Sequence, residues 1–472
     1  MFSIPVITRP STSLRQDIHG IDIKVPIVGG KKRPFVYFDN AASTPPLKSV
    51  LQQMDEFMKW YSGVHRGTGY KSLLSSRVYD HCHEVIGDFV GADPERDNVI
   101  LVKNTTEAIN KLSYRLGHGP GDIVITTVME HHSNDLPWRA QSQVEYVQVD
   151  AKGKLDLDHL KGLLKKHYPR VKLVAVCGAS NVTGHINAVH QIAELAHGFG
   201  APILVDGAQL IPHHSFDMKP HTHPQHIDFL AFSGHKIFAP YGCGVLIGPR
   251  EVFARGAPEY SGGGTVNLVL AKSVYWGAPP DRDEAGSPNV PGAYALAAAL
   301  SCLKRLGMLQ LSREEQRLSS YMMEKLRRNR EVILYGSIPR VGVVTFNIKG
   351  MPHALVGAIL CFEAGIGVRT GCFCAQGYVR RLLGEKENLA HLEYYAHKQA
   401  YLLPGMVRIS LAAYNTRAEV DIFLQTIDQI SQNKKAYRES YLWSEQLGTY
   451  IPKALPVDKL VDRIYHQVWP HS

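Results

Sequence analysis

The chain has 472 residues, 44% of them hydrophobic, which is enough to bury at least one large core and to build two or three domains. Its formal charge of +9 and pI near 9.0 come from scattered Lys and Arg, without long basic blocks or interleaved aromatics, which argues against nucleic acid and toward anionic small molecules. No apolar stretch reaches the roughly 18 residues that span a bilayer, so no membrane is expected.

The N-terminal segment, residues 1–35, opens on Met1 to Arg15, with two Arg, several Ser and Thr and no acid. A transit peptide has that composition, but Pro5 and Pro10 oppose the amphipathic helix it needs. Seven cysteines, an odd number in no repeating framework, indicate thiols in a reducing compartment, with cytoplasm as the expected location. The Asn104-Thr105-Thr106 and Asn181-Val182-Thr183 sequons are then coincidental.

From Tyr37 to about Ala299 short apolar runs alternate with helical patterns, which predicts an α/β large domain over 36–299 with a mostly parallel sheet. Val99 to Val102 leads into Asn104-Thr105-Thr106-Glu107, Ile123 to Thr127 into Glu130-His131-His132, and Leu173 to Val176 into Ser180-Asn181. Ile203 to Val205 delivers Asp206, and Phe229 to Phe232 delivers Ser233, His235 and Lys236. Ligand crevices in open α/β sheets lie at the carboxyl ends of strands, so five such run ends predict one site. A smaller α+β domain follows over 300–430, with strands at Gly342 to Ile348 and Met406 to Leu411 and helices at Ala354 to Glu363 and Ala418 to Ile430. The extension 431–472 ends with Val457, Leu460, Val461, Ile464 and Val468 at helical spacing, which predicts a final helix packed on the body.

Lys236 and Asp206 end neighbouring runs thirty residues apart. A lysine and an acid so placed are what pyridoxal phosphate requires: the lysine condenses with the cofactor aldehyde, and the carboxylate keeps the pyridine nitrogen protonated. A lysine after Ser-Gly-His alone would read as a solvated cation. Thr105 and Thr106 open a helix whose apolar face is Ala108, Ile109, Leu112 and Leu116, and a helix start suits a phosphate. A simple N-cap is the bland alternative, and Ser233 and His235 beside Lys236 tip the balance to phosphate. Gly262 to Thr265 and Gly286 to Asn289, including Ser287, are loops able to add donors. His131 could stack on a flat ring, Gln209 reach its phenolic oxygen, and Asn181 serve that oxygen or the substrate.

Arg369-Thr370-Gly371-Cys372-Phe373-Cys374 is a second constellation. Neighbouring cations such as Arg369, Arg408 and His65 would activate a thiol there. A buried structural thiol is the alternative, and one Cys-x-Cys lacks the second ligand pair of a zinc site. His213, His214, His221, His223 and His226 are irregularly spaced among prolines and read as a solvated loop, so no metal is predicted.

With these motifs assembled, the chain resembles fold-type I, class V aminotransferase-like enzymes, and within them the cysteine desulfurase and selenocysteine lyase branch that includes SUF-type desulfurases. The match runs in order through Tyr37-Phe38-Asp39-Asn40-Ala41-Ala42, Val64-His65-Arg66-Gly67, Thr105-Thr106-Glu107, Met129-Glu130-His131-His132 and Ser180-Asn181-Val182. It continues through Asp206-Gly207-Ala208-Gln209, Ser233-Gly234-His235-Lys236, Glu284 to Asn289, Arg369-Thr370-Gly371 and Val407-Arg408-Ile409-Ser410.

The resemblance implies a homodimer whose sites are completed by the Gly262 to Thr265 and Ser287 loops of the other subunit. It implies Lys236 as the cofactor-bearing base, Asp206 on the pyridine nitrogen, Gln209 on the phenolic oxygen, His131 on the ring, and Thr106, Ser233 and His235 on the phosphate. Arg408 with Asn181 would hold the substrate carboxylate, and Cys374 would receive sulfur from L-cysteine and pass it to a protein or cofactor precursor. Two departures stand out. Cys372 and Phe373 occupy positions where SUF-type enzymes usually have two histidines, and the Arg-Thr-Gly-Cys-Phe-Cys string is more similar to the aminotransferase-like domain of molybdenum cofactor sulfurases. The 34 positions from Cys374 to Arg408, with a charged and aromatic run from Gly384 to Gln399, are also longer than in compact SUF-type enzymes. The alternatives are a carbon-sulfur lyase acting on cystine or a conjugate, or an isopenicillin N epimerase-like enzyme, with Cys374 incidental. A non-catalytic binding protein is the reading from another class.

Overall fold

The computed structural model describes residues 14–65, 67–117, 119, 121–150, 152–385 and 404–469. Pro5, Pro10, Arg66 and nearly all of the Gly384 to Gln399 run therefore lie outside the described residues. The chain divides into two units, the first formed by the described parts of Met1–His19, Ser43–Glu314 and Ser337–Val341, the second by those of Gly20–Ala42, Glu315–Gly336 and Gly342–Ser472.

Seven strands form the sheet of the first unit: Asp97–Val102 (β1), Ile123–Thr127 (β2), Gln143–Val147 (β3), Val171–Cys177 (β4), Ile203–Asp206 (β5), Phe229–Ser233 (β6) and Gly244–Pro249 (β7). Their spatial order is β1-β7-β6-β5-β4-β2-β3. The pairings among β2, β3, β4, β5 and β6 are parallel, while β7 runs antiparallel to both β1 and β6. All of the residues of β2, β5 and β6 are buried, as expected of strands covered on both faces, and their Val, Ile, Leu and Phe runs supply that surface. The helix Thr105–Leu116 (α1) packs Ala108, Ile109 and Leu112 with Ile100, Leu173 and Leu246 in one apolar cluster.

The second unit holds a four-stranded antiparallel sheet of Val332–Tyr335 (β8), Val343–Ile348 (β9), Arg369–Gly371 (β10) and Met406–Ser410 (β11), in the order β8-β9-β11-β10. His353–Ala364 (α2) and Arg417–Gln432 (α3) contribute Val356, Ile359, Phe423 and Ile427 to its core. Thr416 and Glu419 start α3 with a reciprocal capping box. Phe38, from the segment before the first unit resumes, is fully buried in the same core.

The final helix, Val457–Val468 (α4), forms where the apolar spacing places it, but it does not pack as expected. Val457 is buried, while Val461, Ile464, Tyr465, Val468 and Trp469 are about half exposed or more. The 3.6-residue period reports an apolar face, and carries no information about what that face covers. Among the described residues no helix is long and apolar enough to cross a membrane.

Candidate active site

In the first unit the run ends meet along one edge of the sheet. Asp206 ends β5 opposite Cys177, the last residue of β4, and lies beside Ala231 of β6, which runs two residues further to Ser233, so the three strands release their chains along the same edge. Lys236 closes a short 3-10 helix, Gly234–Lys236, directly after β6. That turn is tight, because a Cβ on Gly234 would lie 3.0 Å from the Cys243 carbonyl oxygen. The His235 carbonyl accepts from Thr44 N at 2.8 Å, Ser43 Oγ at 3.1 Å and Thr44 Oγ1 at 3.2 Å, which fixes the backbone beside the lysine.

Asp206 is buried, and its Oδ1 accepts from Ala208 N at 3.0 Å. Burial raises its pKa, while that hydrogen bond and the charge of Lys236 oppose the rise. The same burial, with Lys236 adjoining, pushes the His235 imidazole down to about 4, so it is uncharged at neutral pH. Behind Asp206, Glu130 is pushed up to about 8 by burial, although Thr127 Oγ1 (2.6 Å), Asn134 Nδ2 (2.7 Å) and Cys177 N (3.0 Å) donate to it. The charge of Asp206 adds to that rise, so Glu130 is mostly protonated at neutral pH.

Four hydroxyls gather at the start of α1. Ser233 Oγ accepts from Thr105 N at 2.8 Å and lies 2.6 Å from Thr105 Oγ1. Thr106 Oγ1 lies 2.7 Å from Ser133 Oγ, which lies 2.9 Å from His131 Nδ1. Ser133 N also donates to that Nδ1 at 3.1 Å, so the uncharged ring carries its proton on Nε2. Asn104 caps α1 by accepting from Glu107 N at 3.0 Å, and a Cβ on Gly244 of β7 would lie only 2.4 to 2.7 Å from the Asn104 backbone. Glycine at 244 is what lets the helix start press against the sheet. Asn181 and Gln209 are both buried in the turns after β4 and β5, and Ser180 Oγ holds the first of these turns by accepting from Val182 N and Thr183 N.

His65, exposed and with a left-handed φ of +67°, pairs through Nε2 with Asp80 Oδ1 at 3.1 Å. It lines a small cavity with Gly264, Asp281, Glu284, Gly286 and Pro288. The two glycine loops are joined there by Gly286 N donating to Gly263 O at 2.7 Å, and Ser287 is exposed beside them. Glu284 binds Tyr79, His83 Nε2 (3.0 Å) and Leu101 N (2.5 Å), which anchors the loop to β1.

The second unit brings Arg369 and Arg408 together on one carboxylate. Asp39 Oδ2 lies 2.9 Å from Arg369 Nη2, and Asp39 Oδ1 lies 3.2 Å from Arg408 Nη2. The two arginines face each other across the β10 and β11 pairing, and Asp39 reaches them because its segment bridges to Ser410. Asn40 secures that bridge, donating to Ser410 O at 2.8 Å and accepting from Tyr414 Oη at 2.8 Å. Burial lowers the Arg408 pKa, with the Asp39 charge opposing it. Cys374 is exposed, whereas Cys372 is half-buried and donates its thiol to Pro404 O at 3.0 Å. Burial raises the Cys372 pKa.

The cysteines are all outside disulfides. In the histidine-rich loop His221 Nε2 meets Asp97 Oδ1 at 3.0 Å, and His226 Nδ1 lies 2.6 Å from Lys219 O. Sequence reasoning gave no role to Ser133, Thr44, Asp39 or Phe373. Only Ser133 had a signal, its position in the polar string after β2.

The aminotransferase class-V family profile matches residues 36–423, and the chain belongs to that family. A cysteine desulfurase of Klebsiella pneumoniae (strain 342) is 36% identical over 409 residues, covering 84% of this chain and 94% of the relative. One from Haloferax volcanii is 33% identical, covering 84% and 89%. Among solved structures, the apo cysteine desulfurase of Thermococcus onnurineus NA1 superposes with a TM-score of 0.75 at 34% identity, covering 84% of this chain and 95% of that one. A cysteine desulfurase from Escherichia coli, in an S-sulfonic acid form, gives 0.73 at 28% identity.

Proposed function

We propose that this chain is a pyridoxal phosphate-dependent cysteine desulfurase of the SUF-type and selenocysteine lyase branch, which converts L-cysteine to L-alanine and leaves a persulfide on Cys374. The observation that carries this reading is an exposed Cys374 on a turn packed against Arg408, in a chain whose relatives are cysteine desulfurases over most of its length.

The residues of the first unit fit the cofactor by their donor set. Thr105, Thr106, Ser133 and Ser233 offer hydroxyls at a helix N-terminus, where the helix dipole favours a phosphate. The buried Asp206 suits a pyridinium nitrogen, and Lys236 the aldehyde. Gln209, Asn181, His131, His235 and Ser287 would complete the set. When bound, pyridoxal phosphate withdraws electrons from the substrate α-carbon.

Arg408, with Asn181 and Arg369, orients the substrate carboxylate, and His65 serves the substrate side of the site. Lys236 Nζ takes the α-proton and returns a proton to the carbon that becomes the methyl of alanine. The Cys374 thiolate attacks the substrate sulfur: an S-S bond forms at Cys374, the substrate C-S bond breaks, and its electron pair stays with the carbon skeleton. L-cysteine and one thiol thus give L-alanine and one persulfide, which is then passed to a protein or cofactor-precursor acceptor.

The domain reading remains part of this proposal: 36–299 holds the cofactor, 300–430 carries the thiol, and 431–472 is an extension, expected to be helical, whose helices flank an antiparallel hairpin of Tyr441–Ser444 and Thr449–Pro452. A homodimer is supported by exposed Leu268, Val269, Leu270, Val274 and Tyr275 on the hairpin beside the Gly262 to Thr265 loop, which would face the other subunit. A cytoplasmic location is supported by seven cysteines outside disulfides.

The deciding experiment is Cys374→Ala. Alanine formation from L-cysteine is expected to stop, together with the persulfide mass on the Cys374 peptide; undiminished alanine would overturn Cys374 as the sulfur acceptor, and pyruvate in place of alanine would assign the carbon-sulfur lyase reading. Lys236→Ala is expected to lose the cofactor adduct that borohydride otherwise fixes to that lysine, and alanine formation is expected to fall roughly 10³-fold or more.

A further inference from the structure

Ala375 N donates to Cys372 O at 2.9 Å, closing a four-residue turn whose two central residues, Phe373 and Cys374, have φ of +53° and +54°. Left-handed backbone at both central positions is the geometry that favours Asn-Gly or Gly-Gly, because a Cβ crowds the carbonyl there. Phenylalanine and cysteine both resist it, so something outside the turn must hold it. Gly371, at +108°, feeds the chain into it.

The holding contacts are on the two inward side chains. Cys372 is tied to Pro404 O, and Phe373, only 9% exposed, lays its ring 4.8 Å from the Arg408 guanidinium carbon. Arg408 is itself 3% exposed and anchored by Asp39, so this cation-π contact is made out of water, where it is strongest. A guanidinium donates hydrogen bonds in its plane and accepts an aromatic ring on its face. A carboxylate on the edge of Arg408 and Phe373 on its face are therefore compatible.

We infer that Phe373 is a positioning residue that couples the arginine receiving the substrate carboxylate to the turn presenting the Cys374 thiol. This rests on the roles proposed above for Arg408 and Cys374. The guanidinium is one rigid plate with the substrate on its edge and the nucleophile's turn on its face, so the distance between substrate and sulfur is set within a single packing unit. Leucine at 373 would fill most of the volume without the negative ring face, and tyrosine or tryptophan would keep that face.

The test uses the holoenzyme with Phe373→Leu, Phe373→Ala, Phe373→Tyr and Phe373→Trp. The Leu and Ala variants are expected to lose at least tenfold in kcat for alanine formation from L-cysteine, with KM changed less than threefold because Asp39 still holds Arg408. Tyr or Trp is expected to restore kcat to within threefold of wild type. Independently of turnover, iodoacetamide alkylation of Cys374, read on its own peptide by mass spectrometry, is expected to change at least fivefold in Leu and Ala and to stay at the wild-type rate in Tyr. Leucine at wild-type kcat and alkylation rate would overturn the inference, as would equal losses in Leu and Tyr. If the Ala variant loses cofactor absorbance through misfolding, the volume-conserving Leu and Tyr pair decides. If wild type makes no alanine from cysteine, the proposed function fails, while the alkylation series still tests Phe373.

Discussion

Lys236 and Cys374 are carried by opposite kinds of backbone. The lysine leaves a fully buried strand through a turn that Gly234 makes possible, and its neighbours Asp206, Ser233 and Thr105 are set by the register of adjacent strands and the cap of one helix. The cysteine sits exposed on a turn whose local conformation is unfavourable and whose shape is imposed by Phe373 on Arg408 and by Cys372 on Pro404. The difference suits the two tasks proposed for them. A cofactor cradle has to be rigid and dry, whereas a thiol that accepts sulfur and hands it on has to remain accessible. Damage to the first region should therefore appear in stability and cofactor retention, and damage to the second in reactivity.

The largest break in that pattern is expected at Asp39, which makes the thiol side depend on buried charge. Asp39→Asn removes the charge shared by Arg369 and Arg408, and is expected to cost about 3 kcal/mol in a urea melt and to raise KM for cysteine about tenfold. Gly244→Ala should act on the cradle alone. Its Cβ would meet the Asn104 backbone at 2.4 Å, so a loss of about 1 to 3 kcal/mol and weaker cofactor retention are expected, read by dialysis, with Cys374 alkylation unchanged.

Glu130 gives a pH signature specific to the cradle. Its folded pKa, about 8, lies above its ordinary 4.5, so its contribution to stability is full below pH 4.5 and is lost as pH rises through about 8. Glu130→Gln should flatten that decline, with the difference changing by at most ~1.4 kcal/mol per pH unit, measured by melts across that range. The smallest effect tests the strained turn: Cys374→Gly should be more stable than Cys374→Ala by about 1 kcal/mol, because glycine accepts the left-handed φ of +54°. Equal melting of the two would mean the turn is not strained.

The strand ends of the first unit were largely legible in the sequence because their information is local. Each strand is an apolar run, each candidate side chain lies at or just after the end of one, and parallel strands deliver their ends to the same edge. Glu130 to Asn134 shows how far that logic goes: the polar string after β2 was visible, but the chain of contacts from Thr106 through Ser133 to His131 depends on a turn that spacing does not specify. Asp39 and Phe373 were not legible in role. Asp39 reaches Arg408 across 369 positions, and Phe373 reads as an apolar residue between two cysteines until Arg408 is placed beneath its ring. The helix α4 failed in the reverse direction, since its amphipathic period was read correctly and its apolar side still faces water.

That side of α4 also bears on how the protein behaves as a colloid. A row of Val461, Ile464, Val468 and Trp469 at the end of a chain with net charge +9 is held apart from other copies by long-range repulsion and drawn to them by short-range apolar contact. Salt weakens the first and, when the ions are kosmotropic, strengthens the second, so ionic strength sets the balance between dispersed and self-associated protein at this terminus.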